Sequence, residues 1–257
     1  MHVYIYDDFV NTKKYENTLA NIETRITDLG LNGKIIRLGV MKNAHDAIVN
    51  EVKRGAKTIV AVGNNQTINK VVDALAKSGP TTVEGENTPL GIIPIGEKNN
   101  EIATALGVGK ELEACDIISA RRIETLDLGQ ANQSYFLAQA VIPSKETSVE
   151  ISQNYSIEIM EPGKILIINL LLLENCQSIK SSPQDGKIEL YIKAGKEKGF
   201  FSSNKKTSHS LFSLKKLTVT NKKYPLLLDF SQEVTTPAQI NILKRKLKII
   251  VGKHRNF

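Results

Sequence analysis

The fold is decided by two segments of similar design, Val60-Ala61-Val62-Gly63-Asn64-Asn65-Gln66-Thr67 and Pro89-Leu90-Gly91-Ile92-Ile93-Pro94-Ile95-Gly96. Each segment is typical of a buried strand that breaks into a polar turn before a helix begins. In open α/β sheets such turns lie at the carboxyl ends of parallel strands, and the following helix presents free N–H groups and a partial positive charge to anions. The two segments therefore predict a phosphate site, although their turns lack the glycines and the carboxylate typical of nucleotide loops.

The residues around these segments alternate short strands with amphipathic helices. Apolar residues recur at helical spacing between residues 19 and 29, and Gly30 follows in the position that ends a helix. Asn43 is expected to cap the next helix. This alternation is typical of right-handed βαβ units around a parallel sheet. We therefore predict an α/β domain over residues 1–122.

From Ile123 the pattern changes to strands separated by turns, without a long amphipathic helix. This rhythm predicts an antiparallel β-sandwich domain over residues 123–257, with the domain of the last strand left open. The predicted strands are Ile123-Leu128, Tyr135-Ile142, Ser156-Met160, Ile165-Leu173, Ile188-Ile192, Leu217-Thr220, Leu226-Phe230, Ile240-Leu243 and Leu247-Val251.

Composition predicts a cytoplasmic protein. With 257 residues, of which 41% are hydrophobic, the chain is able to bury two cores. No signal peptide is recognised, and the apolar run at residues 165–173 is too short to span a bilayer. The two cysteines, Cys115 and Cys176, lack metal-ligand spacing, so we expect structural thiols and no metal site formed by them.

The net charge of +7 is concentrated in the second half of the chain. Residues 1–125 carry 15 Lys and Arg against 16 Asp and Glu, whereas residues 126–257 carry 19 against 11. A cationic surface attracts anionic lipid through long-range forces, which indicates a possible peripheral contact with a membrane. The alternative is simple solvation, because lysines such as Lys205, Lys206, Lys222 and Lys223 look like loop positions. No nucleic-acid partner is predicted.

The motifs resemble those of the diacylglycerol kinase catalytic-domain family, which includes bacterial lipid kinases and sphingosine kinases and is related to NAD kinases. Where the family has Gly-Gly-Asp-Gly-Thr and then Leu-Asn-Glu-Val, this chain has Gly63-Asn64-Asn65-Gln66-Thr67 and then Ile68-Asn69-Lys70-Val71. The family's Pro-Leu-Gly-Ile-Ile-Pro-Leu-Gly-Thr-Gly-Asn-Asp is similar to Pro89 to Gly96 followed by Glu97-Lys98-Asn99-Asn100-Glu101. Both loops keep the order of the family motifs but not all of their residues.

The resemblance continues through the second half of the chain. Asp185-Gly186-Lys187-Ile188 resembles the family's Asp-Asp-Gly segment, and the stretch from Pro225 to Phe230 resembles its Val-Asp-Gly-Glu strand pair. Asp229 stands where the family has its catalytic base. After the first strand the family has Asn-Pro, whereas this chain has Asp7-Asp8; we expect solvated turn acids, with a cation site as the alternative.

The resemblance implies ATP-dependent phosphorylation of a lipid hydroxyl, with ATP and Mg²⁺ as cofactors and Asp229 as the proton acceptor. It also implies that the two loops face Asp229 across a cleft between the domains, and that homodimers are possible. The implied nucleotide-binding residues are Gly63, Asn64, Asn65, Gln66, Thr67, Asn69, Gly96, Glu97, Lys98, Asn99 and Asn100.

The departures from the motifs leave other functions open. Asn65 replaces the family aspartate, and a neutral amide balances Mg²⁺ less well than a carboxylate. A catalytically inactive relative that binds a ligand or a partner is therefore the main alternative. Phosphorylation of NAD is a weaker alternative, because the second half of the chain follows the lipid-kinase pattern.

Overall fold

The computed structural model of the protein describes residues 1–39, 44–79, 87–152, 155–172, 179–195 and 208–257. The predicted cap Asn43 and the residues Cys176, Lys205 and Lys206 lie outside these ranges. Among the described residues, no helix is both long and apolar enough to cross a membrane.

The described chain forms two compact units. The first contains Met1–Leu126, Leu172 and Arg245–Phe257. The second contains Asp127–Leu171 and the described residues from 179 to Lys244. The last segment, whose domain the sequence left open, therefore belongs to the first unit.

A parallel sheet forms the centre of the first unit. Its strands are β1 (His2–Tyr6), β2 (Gly33–Arg37), β3 (Thr58–Gly63) and β4 (Leu90–Pro94), in the order β2-β1-β3-β4. Every residue of β3 and β4 is buried, as expected for parallel strands covered by helices. The helices are α1 (Glu16–Asp28), α2 (Ala44–Lys53), α3 (Asn65–Ser78), α4 (Glu101–Ala105) and α5 (Glu111–Ala120).

The helix α3 shows why the sequence folds in this way. Its residues Ile68, Val71, Val72 and Leu75 recur at helical spacing and are buried. Gly79 follows the helix with a φ of 73°, a value that glycine adopts without strain. The carboxyl end of β3 thus leads directly into the amino end of a helix anchored by its apolar face.

The second unit is a β-sandwich. The rest of the strands in chain order are β5 (Ile123–Ala131), β6 (Ser134–Phe136), β7 (Gln139–Pro143), β8 (Thr147–Ser152), β9 (Tyr155–Ile159), β10 (Gly163–Ile168), β11 (Ile188–Ala194), β12 (Ser208–Leu214), β13 (Lys216–Asn221), β14 (Leu226–Leu228), β15 (Gln232–Val234) and β16 (Ala238–Ile250). One sheet has the order β12-β11-β10-β7-β14-β15, and β16, β13, β8 and β9 pair in the other. Apolar residues from both sheets share one core. The predicted fold class, an α/β domain with a parallel sheet and an antiparallel β domain, is confirmed.

Several strand boundaries differ from the predictions. The strand expected at 165–173 ends at Ile168, because the buried side chain of Asn169 donates to the carbonyls of Asp127 and Leu137 and diverts the chain. The two strands expected at 240–243 and 247–251 are parts of one strand, β16. Its final portion runs parallel to β4, with Ile249 opposite Leu90.

We predict that Gly63→Ala destabilises the protein by about 1–3 kcal/mol, the usual cost of overpacking a core. A Cβ at this position would lie 2.1 Å from Oγ1 of Thr67, which is itself buried. The free energy of unfolding in urea measures the effect. As a control, Gly39→Ala should change it little, since a Cβ there meets its nearest neighbour at 3.8 Å. Equal stability of the two variants would contradict the predicted contact.

Candidate functional site

The two polar loops predicted from the sequence lie side by side in the first unit. The backbone N–H of Ile95 donates to the carbonyl of Gly63 at 2.9 Å, and the N–H of Asn65 donates to the carbonyl of Asn99 at 2.8 Å. The loops at residues 63–67 and 96–100 are therefore joined by main-chain hydrogen bonds. They form one surface at the carboxyl edge of β3 and β4, where α/β proteins bind ligands.

The amino end of α3, where a phosphate would be expected, has its donors occupied by the protein. The side chain of Asn64 accepts the N–H groups of Gln66 at 3.0 Å and Thr67 at 3.4 Å. In return, Oγ1 of Thr67 accepts the N–H of Asn64 at 3.2 Å, which completes a capping box. The N–H of Asn65 already bonds to Asn99. No N–H of this first turn is left for a ligand unless an existing bond breaks.

Asn65, which replaces the family aspartate, joins α3 to α4. Its side chain is buried; the carbonyl oxygen accepts the N–H of Ile102 at 3.2 Å, and the amide nitrogen donates to the carboxylate of Glu101. An aspartate lacks the donor that this second bond requires. The amide at position 65 therefore has a structural function as a link between the first loop and α4.

Asp7 brings a carboxylate to the same helix end. The residue is only 5% exposed, so the solvated acid expected here is wrong for Asp7. The carboxylate accepts the hydroxyl of Thr67 at 2.7 Å and the ammonium of Lys70 at 3.1 Å, and it also accepts the N–H of Asp8 at 2.8 Å. A negative charge is stabilised at a helix amino end by the helix dipole and by the lysine. The protein thus supplies its own anion at this position.

The second loop borders an open cavity of about 480 Å³. Gly96 has a φ of 91° and Asn99 a φ of 63°, and Nδ2 of Asn100 donates to the carbonyl of Gly96 at 2.8 Å, so the loop is closed on itself. Glu97 and Lys98 are exposed. The lining of the cavity includes Glu97, Lys98, Asn99, Asn100, Glu101, Thr104 and Lys110. Two lysines and two carboxylates therefore face a space large enough for a small molecule.

The predicted nucleotide-binding residues are thus near one another, but they differ in their exposure to solvent. Gly63, Asn65, Thr67 and Asn69 are buried, whereas Gln66 is exposed at the start of α3. Lys70 was not predicted as a site residue. The motif itself contained the signal, because lysine stands where the family has the glutamate of Leu-Asn-Glu-Val, a charge reversal that matches the acid at Asp7.

These residues do not fit the Mg²⁺ ion that the family resemblance implies. Both polar atoms of Asn65 are used inside the protein, and the carboxylate of Asp7 is already paired with Lys70. Over the described ranges, no group of three or more His, Cys, Asp or Glu side chains converges in a way that would hold a metal ion. Magnesium prefers several oxygen ligands in octahedral geometry, and these side chains do not offer them.

Asp229 lies in the second unit, between β14 and β15. It is fully buried, and its carboxylate accepts the N–H groups of Leu137, Ala138 and Gln139 at 2.7–2.9 Å. Its φ of 41° and the φ of 68° at Phe230 belong to a tight turn, so this pair is not part of a strand as the sequence suggested. The carboxylate orders the chain at residues 137–139. Its approach to the two loops stays a prediction.

The comparisons with known proteins agree with this fold and these motifs. The model of the diacylglycerol kinase catalytic domain matches residues 2–131. The chain is 29% identical over 136 residues to the diacylglycerol kinase of Bacillus subtilis strain 168, which covers 52% of this chain and 42% of that protein. It is 31% identical over 127 residues to the Enterobacter sp. strain 638 protein named "Probable lipid kinase YegS-like", covering 48% and 40%.

A solved structure extends the likeness to both units. A diacylglycerol kinase from Bacillus anthracis has a TM-score of 0.74 at 17% identity, and the match covers 98% of this chain and 97% of that one. The chain belongs to the diacylglycerol kinase catalytic-domain family. It spans less than half the length of the curated relatives that it matches.

We predict that Asn65→Asp, which restores the family residue, destabilises the protein by about 1–2 kcal/mol at pH 7 without divalent ions, because it loses a donor and places two carboxylates together. The deficit should shrink as the pH falls and a carboxylate is protonated. Urea unfolding between pH 4 and 7 measures it. Adding Glu101→Gln should restore most of the stability, whereas Glu101→Gln alone should have little effect. An Asn65→Asp variant as stable as the parent at pH 7 would contradict the bond to Glu101.

Asp229→Asn should also reduce stability, by roughly 1–3 kcal/mol, because the amide nitrogen would face an N–H donor. This follows from the three N–H groups that share the two carboxylate oxygens. Thermal unfolding measures the effect. Asp185→Asn is the matched control, because that exposed carboxylate accepts one N–H, from Lys187. A loss no greater than that of the control would show that the three bonds are not needed for folding.

Proposed function

We propose that the protein is a lipid-kinase-like binding protein that keeps the family scaffold but does not carry out magnesium-dependent phosphoryl transfer. The observation that carries this proposal is the buried carboxylate of Asp7, bonded to Thr67 and Lys70 at the amino end of α3. A nucleotide phosphate at this end would meet a negative charge. The bonded N–H groups of the first turn support the same conclusion.

Phosphoryl transfer requires a metal-binding acid and free N–H donors, and in this loop the corresponding groups are bonded within the protein. The charge of the transferred group must be neutralised by a metal ion and oriented donors, and loss of a positioned acid or base alone costs about 10²–10⁴ in rate. At position 65 the metal-binding acid is replaced by an amide that holds α4. The pairing of Asp7 with Lys70 gives the loop a stable charge balance of its own. The departures from the family motif at Asp7, Asn65 and Lys70 thus all form bonds within the protein.

The ligand that we propose is a lipid with a hydroxyl group, the acceptor class indicated by the names of the relatives. We further propose that the protein is cytoplasmic and meets this lipid at the surface of an anionic membrane. Self-association into a homodimer is a further proposal, which sedimentation velocity at several protein concentrations tests directly.

An active lipid kinase is the second candidate function. It is favoured by the cavity beside the second loop, where Lys98 and Lys110 offer positive charge, and by the retained Asp229. In this function ATP would bind at residues 63–67 and 96–100 with Mg²⁺, and Asp229 would accept the proton of the lipid hydroxyl. Phosphorylation of NAD is a weaker candidate, because the only support for it is the relationship of this family to the NAD kinases.

Isothermal titration of the purified protein with ATP and Mg²⁺ tests the first proposal. We expect no heat of binding at about 1 mM nucleotide, which corresponds to a binding free energy weaker than about −4 kcal/mol. The combined variant Asp7→Asn, Asn64→Gly, Asn65→Asp and Gln66→Gly should gain at least about tenfold in affinity, since it removes the internal anion and frees N–H donors. Circular dichroism of the variant confirms that it is folded before titration.

A labelled-phosphate assay separates the two candidate functions. The unmodified protein is incubated with ATP, Mg²⁺ and either mixed lipids or NAD. Transfer to a lipid would overturn the noncatalytic proposal and establish the kinase, and transfer to NAD would establish the third candidate. No transfer, together with no heat of nucleotide binding, is the result that we expect.

A further inference from the structure

A cluster of lysines lies on the second unit, far along the sequence from the loops at residues 63–67 and 96–100. It consists of Lys187, Lys215, Lys216 and Lys244, which we call the lysine patch, and all of its members are exposed. Lys215 and Lys216 are neighbours in the chain, between β12 and the start of β13, whereas Lys187 lies just before β11 and Lys244 lies within β16. Folding therefore concentrates charge that the sequence distributes.

Backbone contacts bring the lysine patch together. Ile188 of β11 is opposite Leu214 of β12 at the end of this antiparallel pair. Lys187 and Lys215 are the next residues beyond these two, so they lie close together. The N–H of Ile242 donates to the carbonyl of Lys215 at 3.1 Å, and Lys216 is opposite Asn241 in the pairing of β13 with β16. Lys215 and Lys216 therefore lie beside β16, close to the residues that precede Lys244 in that strand.

The fourth lysine is held in place by packing. A Cβ built on Gly186 would lie 2.0 Å from Cε of Lys244, so the stem of this lysine lies directly against the turn before Lys187. That turn is fixed, because the N–H of Gly186 donates to the buried carboxylate of Asp127 at 2.7 Å. A lysine whose stem packs on the protein keeps its ammonium group at the surface.

The charge of the patch is poorly neutralised. None of its lysines forms an ion pair with a described residue. Two exposed carboxylates border it: Asp185, which accepts the N–H of Lys187 at 2.9 Å, and Glu150, which lines a shallow cavity of about 300 Å³ with Lys216. The nearby carboxylates of Asp127 and Glu189 are buried. At the surface, four ammonium groups therefore face two carboxylates, and such a positive surface attracts anions in a salt-dependent way.

From this placement we infer that the lysine patch docks the second unit onto an anionic lipid bilayer, an inference that rests on the lipid side of the proposed function. The groups are ammonium ions, which act as point charges and lack the planar fork with which arginine recognises a single phosphate. No aromatic side chain belongs to the patch, so stacking with nucleic-acid bases is not offered. A diffuse, hydrated layer of lipid headgroups is the partner that such a surface fits.

Vesicle sedimentation tests the inference with the full chain. Vesicles of phosphatidylcholine with about 30% phosphatidylserine are compared with pure phosphatidylcholine, without nucleotide or diacylglycerol. A lysine near an anionic surface contributes about 1 kcal/mol, so replacing all four members of the patch by glutamine should lower the partition coefficient on the order of several hundred-fold. Binding by the unmodified protein should also fall steeply as salt is raised.

The matched control removes the same charge elsewhere on the second unit. It replaces Lys145, Lys164, Lys193 and Lys222, all exposed, by glutamine. We expect a loss below about tenfold for this control, because its charges act only at long range. Equal losses in the two variants, or no preference of the unmodified protein for anionic vesicles, would overturn the inference. So would tighter binding to duplex DNA than to vesicles that is lost in the patch variant.

The test is independent of the proposed noncatalytic function. If anionic vesicles are not bound and ATP gives no heat of binding, the docking inference fails while the noncatalytic proposal stands. If vesicles are bound through the patch and phosphate is transferred to a lipid, the docking inference stands and the noncatalytic proposal fails. Both variants should remain folded in thermal unfolding, since the substituted side chains are exposed and glutamine keeps most of the packed stem of Lys244.

Discussion

The main-chain bonds between the two polar loops are the constraint on which the candidate site depends. Gly63 and Asn65 bond to Ile95 and Asn99, so neither loop is able to move without the other. Asn65 strengthens this link through its side chain, which reaches α4. A loop that must open its N–H groups toward phosphate would lose part of this network. The protein has therefore stabilised one conformation of the site from within.

The electrostatics of the site follow the same principle. In a nucleotide loop the positive end of the helix dipole is available to the ligand. Here the carboxylate of Asp7 is placed against that end, and Lys70 balances it from the first turns of α3. Since the carboxylate is almost completely buried, loss of Lys70 would leave a buried charge without its cationic partner, although solvent partly screens the half-exposed lysine.

Local patterns in the sequence predicted most of the first unit. The units of strand, turn and helix around Gly63 and Gly96 were predictable because strand burial and helix periodicity are local properties. The second unit was harder, since short strands such as β8 and β15 carry few apolar residues. The contact of Asn65 with Glu101 was not predictable, because it joins the first loop to α4, and these segments come together only in the folded sheet. Likewise, the sequence predicted a strand through Asp229 and Phe230, because a positive φ is unusual for a bulky residue such as Phe230.

The strand β16 has a consequence for the order in which the chain acquires its structure. Residues at the end of the sequence complete the sheet begun at its start, with Ile249 lying opposite Leu90. The whole second unit must therefore be synthesised before the first sheet gains its last strand. Such a long-range closure is slow compared with helix formation, since the entropy of the intervening chain is lost before the contact forms. During synthesis, the edge of β4 that pairs with β16 thus stays unpaired until the final segment is made.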